Sequence, residues 1–136
     1  GTVATLLPGT MLFLGKRDQA PARRLISAGA AVALATDFNP GTSPTTNFPL
    51  VLTLGVSQPG LSVAEVMAAG TVNGAAALGL AGRVGQIAPG FSADLALWAL
   101  EDVRELPYWY GAGRCRASWT RGKPCHVHDL ALAFLR

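Results

Sequence analysis

The sequence predicts an α/β layer followed by a small β-rich module. Three observations carry this. The run Ala31-Val32-Ala33-Leu34-Ala35-Thr36 is apolar without alternation, as in strands buried on both faces of a parallel sheet. Ahead of it lie an earlier apolar run, Thr2 to Leu7, and a helical stretch. Strand, helix and strand in that order form a βαβ unit with a right-handed crossover. From Gly82 onward the composition shifts to short apolar runs punctuated by glycine and proline. A boundary near Gly82 therefore divides residues 1–81 from a β module at 82–129, with 130–136 as a C-terminal tail.

Taken in order, Thr2 to Leu7 reads as a buried strand closed by a Pro8-Gly9 turn. Thr10 to Leu14 is apolar without a clear period, and Gly15 to Gln19 is a polar loop. Pro21 suits the first position of a helix, where its missing N–H costs nothing. Leu25, Ile26 and Ala28 mark the buried face, and Gly29 is placed to end the helix in a left-handed conformation. After the second strand, Ser43 and Pro44 fit the N-cap and first position of another helix. Ser62-Val63-Ala64-Glu65 is a capping box, opening a helix from about Val63 to Leu78 with Gly79 as its stop. Gly70 inside that helix permits close packing against a neighbour. In the second module, Gly85-Gln86-Ile87, Ala93 to Leu100, Arg116 to Thr120 and Pro124 to Val127 read as strands, the last two around a turn at Gly122.

Composition narrows the function classes. The 136 residues are 50% hydrophobic and 14% charged, which disfavours disorder. That length holds one ordinary domain but not a complete (β/α)₈ barrel of about 250 residues. The net charge of +3 is mild and its basic residues are scattered, giving no dense run for nucleic acid or membrane lipid. No apolar stretch reaches the roughly 18 residues of a membrane span. With no signal-peptide pattern and no initiator Met, an opening on Gly1 directly into an apolar run is what an internal fragment shows. Cys115 and Cys125 flank the Gly122 turn. A cross-strand disulfide is conceivable there, and two ordinary half-buried thiols of a cytosolic protein are the favoured reading.

Several patterns have plain structural explanations. Gly79-Leu80-Ala81-Gly82-Arg83-Val84-Gly85 is glycine-dense but follows a helix, the wrong context for a dinucleotide fingerprint. His126-Val127-His128 places two imidazoles on one face of a strand, without a convincing third ligand nearby. Trp98, Trp109, Trp119, Tyr108 and Tyr110 read as core and module-interface aromatics. Asp94 reads as an acceptor of backbone N–H groups in the Pro89-Gly90 corner.

The run Asp37-Phe38-Asn39-Pro40-Gly41-Thr42-Ser43-Pro44 is the exception. A buried strand ending in Asp, Asn and a Pro-Gly turn delivers polar groups to a pocket. In α/β barrels the loops after the strands build the active site, and a carboxylate there is a typical catalytic group. The competing explanation is a turn or helix-cap aspartate.

Three stretches, in order, give the chain a family resemblance: Leu6-Leu7-Pro8-Gly9; Leu34-Ala35-Thr36 with the run from Asp37 to Pro44; and Gly85-Gln86-Ile87-Ala88-Pro89-Gly90 with Ala93-Asp94-Leu95. Together they resemble the C-terminal third of the imidazolonepropionases, in the amidohydrolase superfamily. The Asp-Phe-Asn-Pro-Gly-Thr-Ser stretch is specific to that family. The third stretch is broader and marks many amidohydrolases. The resemblance implies the C-terminal part of a (β/α)₈ TIM-like barrel, its seventh and eighth strand–helix units, followed by strands of a small composite β-sandwich module. It implies a cytoplasmic hydrolase that opens the cyclic amide of 4-imidazolone-5-propanoate, giving N-formimino-L-glutamate in histidine degradation, with one divalent ion, zinc or iron. Asp37 matches the metal-binding, proton-transferring aspartate at the end of strand eight. Asn39 and Gly41 match contacts to the ring-opened product, and Thr42 matches a contact to the imidazolone. The full-length family members commonly pair as dimers.

The family's histidine ligands and its arginine, tyrosine and histidine substrate contacts lie upstream of the matched region, and His126 and His128 do not replace them. The resemblance therefore implies a partial enzyme, inactive and marginally stable alone. Two other readings remain: a related amidohydrolase acting on another cyclic amide or an aminated heterocycle, and a non-catalytic half-barrel whose open edges pair with another chain.

Overall fold

The computed structural model describes residues 1–127. Strand β1 (Val3–Leu6) leads directly into helix α1 (Pro8–Phe13), and helix α2 (Ala22–Ser27) leads into strand β2 (Ala31–Leu34). The two strands pair in parallel, Val3 opposite Ala31 through Leu6 opposite Leu34. The βαβ expectation holds, with an additional helix. Pro8-Gly9 is not a free turn, because Pro8 opens α1, where proline is pre-organised for helix. The aperiodic stretch after it is helical for the same reason. Pro21 caps α2 rather than starting it. Gly29 has φ +80°, and the amides of Gly29 and Ala30 bond back to Ile26 and Leu25, the glycine-ended Schellman arrangement.

Helix α3 runs Phe48–Ser57, α4 Val63–Gly70 and α5 Val72–Ala77. Ser43 does not cap α3. It forms a β-bridge with Asn39 and its hydroxyl donates to the Thr36 carbonyl, so the capping oxygen is Asn47 Oδ1, 3.1 Å from the Leu50 amide. The capping box at Ser62 and Glu65 is present in both halves. The single helix expected from Val63 to Leu78 is broken at Thr71, at φ −123° and ψ −92°. Gly70 weakens the turn before it, and the Thr71 hydroxyl bonds back to the Met67 carbonyl at 2.7 Å, a contact that bends helices.

These helices bury Leu6, Val32, Leu34, Val51, Leu52, Leu61, Val66 and Ala69 in one core. Fully burying a valine or leucine contributes about 1.5–3 kcal/mol, and Val51 and Val66 have no exposed surface at all. Gly55 lets α3 approach β2 and α4 closely: a Cβ there would stand 2.8 Å from Leu34 Cδ1 and 3.0 Å from Val66 Cγ1. Gly70 does the same between α4 and α3, where a Cβ would meet Phe48 at 2.8 Å, as the sequence led us to expect.

Beyond Gly82, strand β3 (Leu95–Trp98), helix α6 (Glu105–Tyr108), strand β4 (Cys115–Thr120) and strand β5 (Lys123–Val127) follow. The three strands make an antiparallel sheet in the order β3-β4-β5. Gly85-Gln86-Ile87 is not a strand. Gly85 has φ +90° and lies against the Thr71 carbonyl, so close that a Cβ would stand 2.9 Å from its oxygen. The segment turns there instead of extending, leaving Ile87 91% exposed. Strand β3 is shorter than the run from Ala93 to Leu100, and its pairing with β4 shifts register between Leu97 and Trp98. Cys115 and Cys125 are free thiols. Residue His128, Asp129 and the tail at 130–136 lie outside the described residues.

Helices α2 and α4 are tied by the ion pair of Arg23 and Glu65, 2.6 Å apart. The Arg23 guanidinium, then the Ser62 backbone N–H, hold the Glu65 carboxyl at about 2, below its ordinary 4.5. A carboxyl depressed on folding stabilises above its unfolded value and loses that contribution as pH falls through its folded value. Glu65→Gln should therefore cost about 1 kcal/mol or less at pH 7. Unfolding free energies of variant and wild type, measured by urea titration, should converge as pH drops from 4.5 towards 2.

Candidate active site

Both parallel strands end at the same edge of their sheet, and the Ala35 amide extends the pairing to the Leu6 carbonyl at 3.2 Å. Thr10, in the first turns of α1, and Asp37, in the loop after β2, leave that edge side by side. The Thr10 hydroxyl donates to Asp37 Oδ2 at 2.8 Å. Asp37 is half-buried and has φ +51°. That left-handed conformation is uncommon outside glycine, though aspartate tolerates it better than most residues, and such strained positions cluster at functional sites.

The loop beyond Asp37 is held by one side chain. Asn39 Nδ2 donates to the Asp37 carbonyl at 2.6 Å and to the Thr42 hydroxyl at 3.0 Å. Asn39 Oδ1 accepts from the amides of Gly41 at 2.9 Å and Thr42 at 2.8 Å, and from the Thr42 hydroxyl at 3.1 Å. Two backbone donors on one end fix which end of the amide is oxygen. The Asn39 and Ser43 backbones bond reciprocally at 3.0 and 3.3 Å. Ser43, 1% exposed, anchors the loop to the Thr36 carbonyl.

The four expected site residues thus occupy one loop, with Asp37, Asn39 and Thr42 half-buried and Gly41 exposed. Asn39 differs from expectation in one respect. Its amide, matched by resemblance to a product contact, spends both donor and acceptor inside the loop, as short polar side chains do in turns. Thr10 and Asn47 had escaped notice. Thr10 sits just past the strand that neighbours β2, and its place after Leu6-Leu7-Pro8-Gly9 was the available signal.

A carboxylate oxygen is a hard donor suited to a divalent ion, so Asp37 fits one position in a coordination shell. Among the described residues no group of three or more His, Cys, Asp and Glu side chains comes together. His126 is exposed on β5, and its proposed pair mate lies outside the described residues. Asp94 is a structural acceptor, as expected. However, it takes the Arg121 amide at 2.7 Å, so it braces the β4–β5 turn rather than the Pro89-Gly90 corner.

A cavity of about 780 Å³ is lined by Met67, Ile87, Trp98, Leu106 and Trp119 among others and by no residue of the Asp37 loop. Trp98 and Trp119 fit the interface reading, while Tyr108 and Tyr110 are 72% and 65% exposed. Trp109 donates to Glu105 at 2.9 Å and lies 4.0 Å beneath the Arg114 guanidinium. The Trp109 bond lowers the Glu105 carboxyl below its ordinary range.

Asn39→Ala removes every bond that its amide makes. The Thr42 backbone amide should then exchange its hydrogen about 10-fold faster or more, corresponding to a lost bond of about 1.5 kcal/mol, with core amides such as Val66 unchanged. Hydrogen exchange followed residue by residue checks this.

The sequence pattern of the Amidohydrolase family matches residues 13–125. Imidazolonepropionase of Bacillus velezensis is 43% identical over 90% of this chain and 29% of its own length. That of Deinococcus deserti is 51% identical over 89% of this chain and 30% of its own. The chain thus spans under a third of the length of these relatives. Among solved structures, a zinc-bound adenosine deaminase from Xanthomonas campestris superposes with TM-score 0.81 at 24% identity, over 96% of this chain and 35% of that one. E. coli guanine deaminase superposes with TM-score 0.77 at 17% identity, over 94% and 35%. Those identities speak to the fold alone: an α/β arrangement shared with these enzymes, whose barrel the two described parallel strands do not close. With the family pattern covering residues 13–125 of its 136, the chain belongs to the amidohydrolase family.

Proposed function

We propose that this chain is the C-terminal part of an imidazolonepropionase, a cytoplasmic metal-dependent hydrolase of histidine degradation. The longer protein would convert 4-imidazolone-5-propanoate to N-formimino-L-glutamate. The observation that carries this is the 42–51% identity to imidazolonepropionases across about nine-tenths of the chain. In support, Asp37 stands at the carboxyl edge of a parallel strand, where such enzymes keep their chemistry. On this reading β1 and β2 are the last two barrel strands, and β3, β4 and β5 belong to a composite β-sandwich module.

When bound, a divalent ion, zinc or iron, supplies the Lewis acidity that brings the pKa of a water towards neutrality. Asp37 would hold that ion through its carboxylate. It also accepts the proton of the attacking water, as a positioned base does. The water oxygen bonds to the carbonyl carbon of the cyclic amide, the ring C–N bond breaks, and Asp37 returns the proton to the departing nitrogen. Thr42 and Gly41 face the substrate, the glycine allowing close approach to its backbone. Asn39 holds both in place through the bonds to their amides. The remaining ligands and substrate contacts come from the part of the longer protein outside this chain.

In the full-length protein, Asp37→Ala should lower kcat for imidazolonepropanoate by at least about 10²–10⁴-fold, read as loss of substrate and appearance of N-formimino-glutamate. The 136-residue chain alone should show no turnover. Wild-type rates in the Asp37→Ala protein would remove that residue from the mechanism. A full-length protein that deaminates an aminated heterocycle and leaves imidazolonepropanoate intact would replace the substrate assignment.

A further inference from the structure

We propose that Thr10 is a positioning residue for the Asp37 carboxylate, an inference that rests on the catalytic reading of Asp37. Threonine in a helix ordinarily satisfies its hydroxyl on the carbonyl four residues back. Thr53 lies 3.1 Å from the Pro49 carbonyl, though closer to that of Pro107 at 2.6 Å, and Thr71, at the end of α4, bonds to the Met67 carbonyl at 2.7 Å in this way. Thr10 does not. The corresponding carbonyl, Leu6, accepts the Ala35 amide instead, and the Thr10 hydroxyl reaches across to Asp37 Oδ2 at 2.8 Å.

The direction of that bond is fixed by chemistry. An ionised carboxylate only accepts, so the threonine must donate. The bond occupies one side of Oδ2. The Asn39 amide meanwhile grips the Asp37 carbonyl at 2.6 Å, and the backbone is held at φ +51°. Backbone and side chain are thereby restrained from both ends. Partners of this kind orient metal-binding carboxylates, and their loss costs about 10- to 100-fold in metal affinity or activity. The parallel register of β1 on β2 brings Thr10 to this position, a contact 27 residues apart in sequence.

The test is made in the full-length protein with Thr10→Val, which keeps the shape and removes the hydroxyl, and with Thr10→Ser, which keeps the hydroxyl. Thr10→Ala covers the case that valine disturbs α1. Metal retained after dialysis against a chelator is measured alongside kcat and KM. The expected result is a 10- to 100-fold loss in kcat with KM within about twofold, and faster metal loss, in the valine and alanine variants. Both properties should be restored by serine, at thermal midpoints close to wild type. Unchanged kcat and metal retention in Thr10→Val would overturn the proposal, as would an equal loss in Thr10→Ser. If wild type fails to turn over imidazolonepropanoate, the substrate reading fails by itself. Metal retention still decides the role of Thr10, and if Asp37→Ala leaves retention unchanged, it is Asp37 that was misassigned.

Discussion

The parallel pairing of β1 with β2 is the constraint on which the site depends. Register in a sheet is all-or-none in its consequences, since a slip by one residue turns every side chain to the opposite face. With Leu6 opposite Leu34, both leucines enter the core against Val51 and Val66, and both chains leave the sheet at one level. Thr10 and Asp37 then meet after similar lengths of chain. The hydrophobic core therefore sets a polar distance: the burial that fixes the register also places a hydroxyl 2.8 Å from a carboxylate.

The loop after Asp37 shows how a short irregular segment is held by a single β-bridge and a few side-chain bonds. Buried backbone groups need partners, and here one asparagine supplies them to Gly41 and Thr42 while a buried serine ties the far end to Thr36. This rigidity has a cost in versatility, because an amide saturated inside the loop has little left for a ligand. The asparagine governs the shape of the site, and chemistry falls to the groups that it leaves free. A loop so cross-linked is also suited to keeping a non-glycine residue at positive φ, since the surrounding bonds over-determine that conformation.

Much of this was legible in the residues because the signals were local. The capping box at Ser62 and Glu65, the left-handed Gly29 and Gly79, the hairpin around Gly122 and the apolar run of β2 each state their conformation within a few positions, and each appears in the structure. The misreadings came where tertiary competition decided. Ser43 and Pro44 carry good helix-start chemistry, but Ser43 is recruited by Thr36 and Asn39, so α3 starts at Phe48 under Asn47. Gly85 to Ile87 has strand-like composition, yet the close approach of Gly85 to the Thr71 carbonyl turns the chain. In the site, Asp37 announced itself by following a buried strand. Thr10 did not, because its role exists only once two distant segments pair.

The surface bears out the same dependence on long-range partners. Leu12 and Phe13 on α1, Leu14 just after it and Phe38 beside Asp37 are each 45–63% exposed, a density of large apolar side chains that isolated soluble domains seldom leave in water. A barrel closing over β1 and β2 would cover that face, and the same missing walls would carry the ligands that a lone carboxylate lacks. On the proposed reading, exposed apolar surface and an incomplete donor set have one geometric origin, in a chain spanning 29–30% of the length of its imidazolonepropionase relatives. If Asp37 holds a metal ion as proposed, stability and chemistry are linked in this protein: whatever surface completes the sheet would also bring the remaining ligands to that carboxylate.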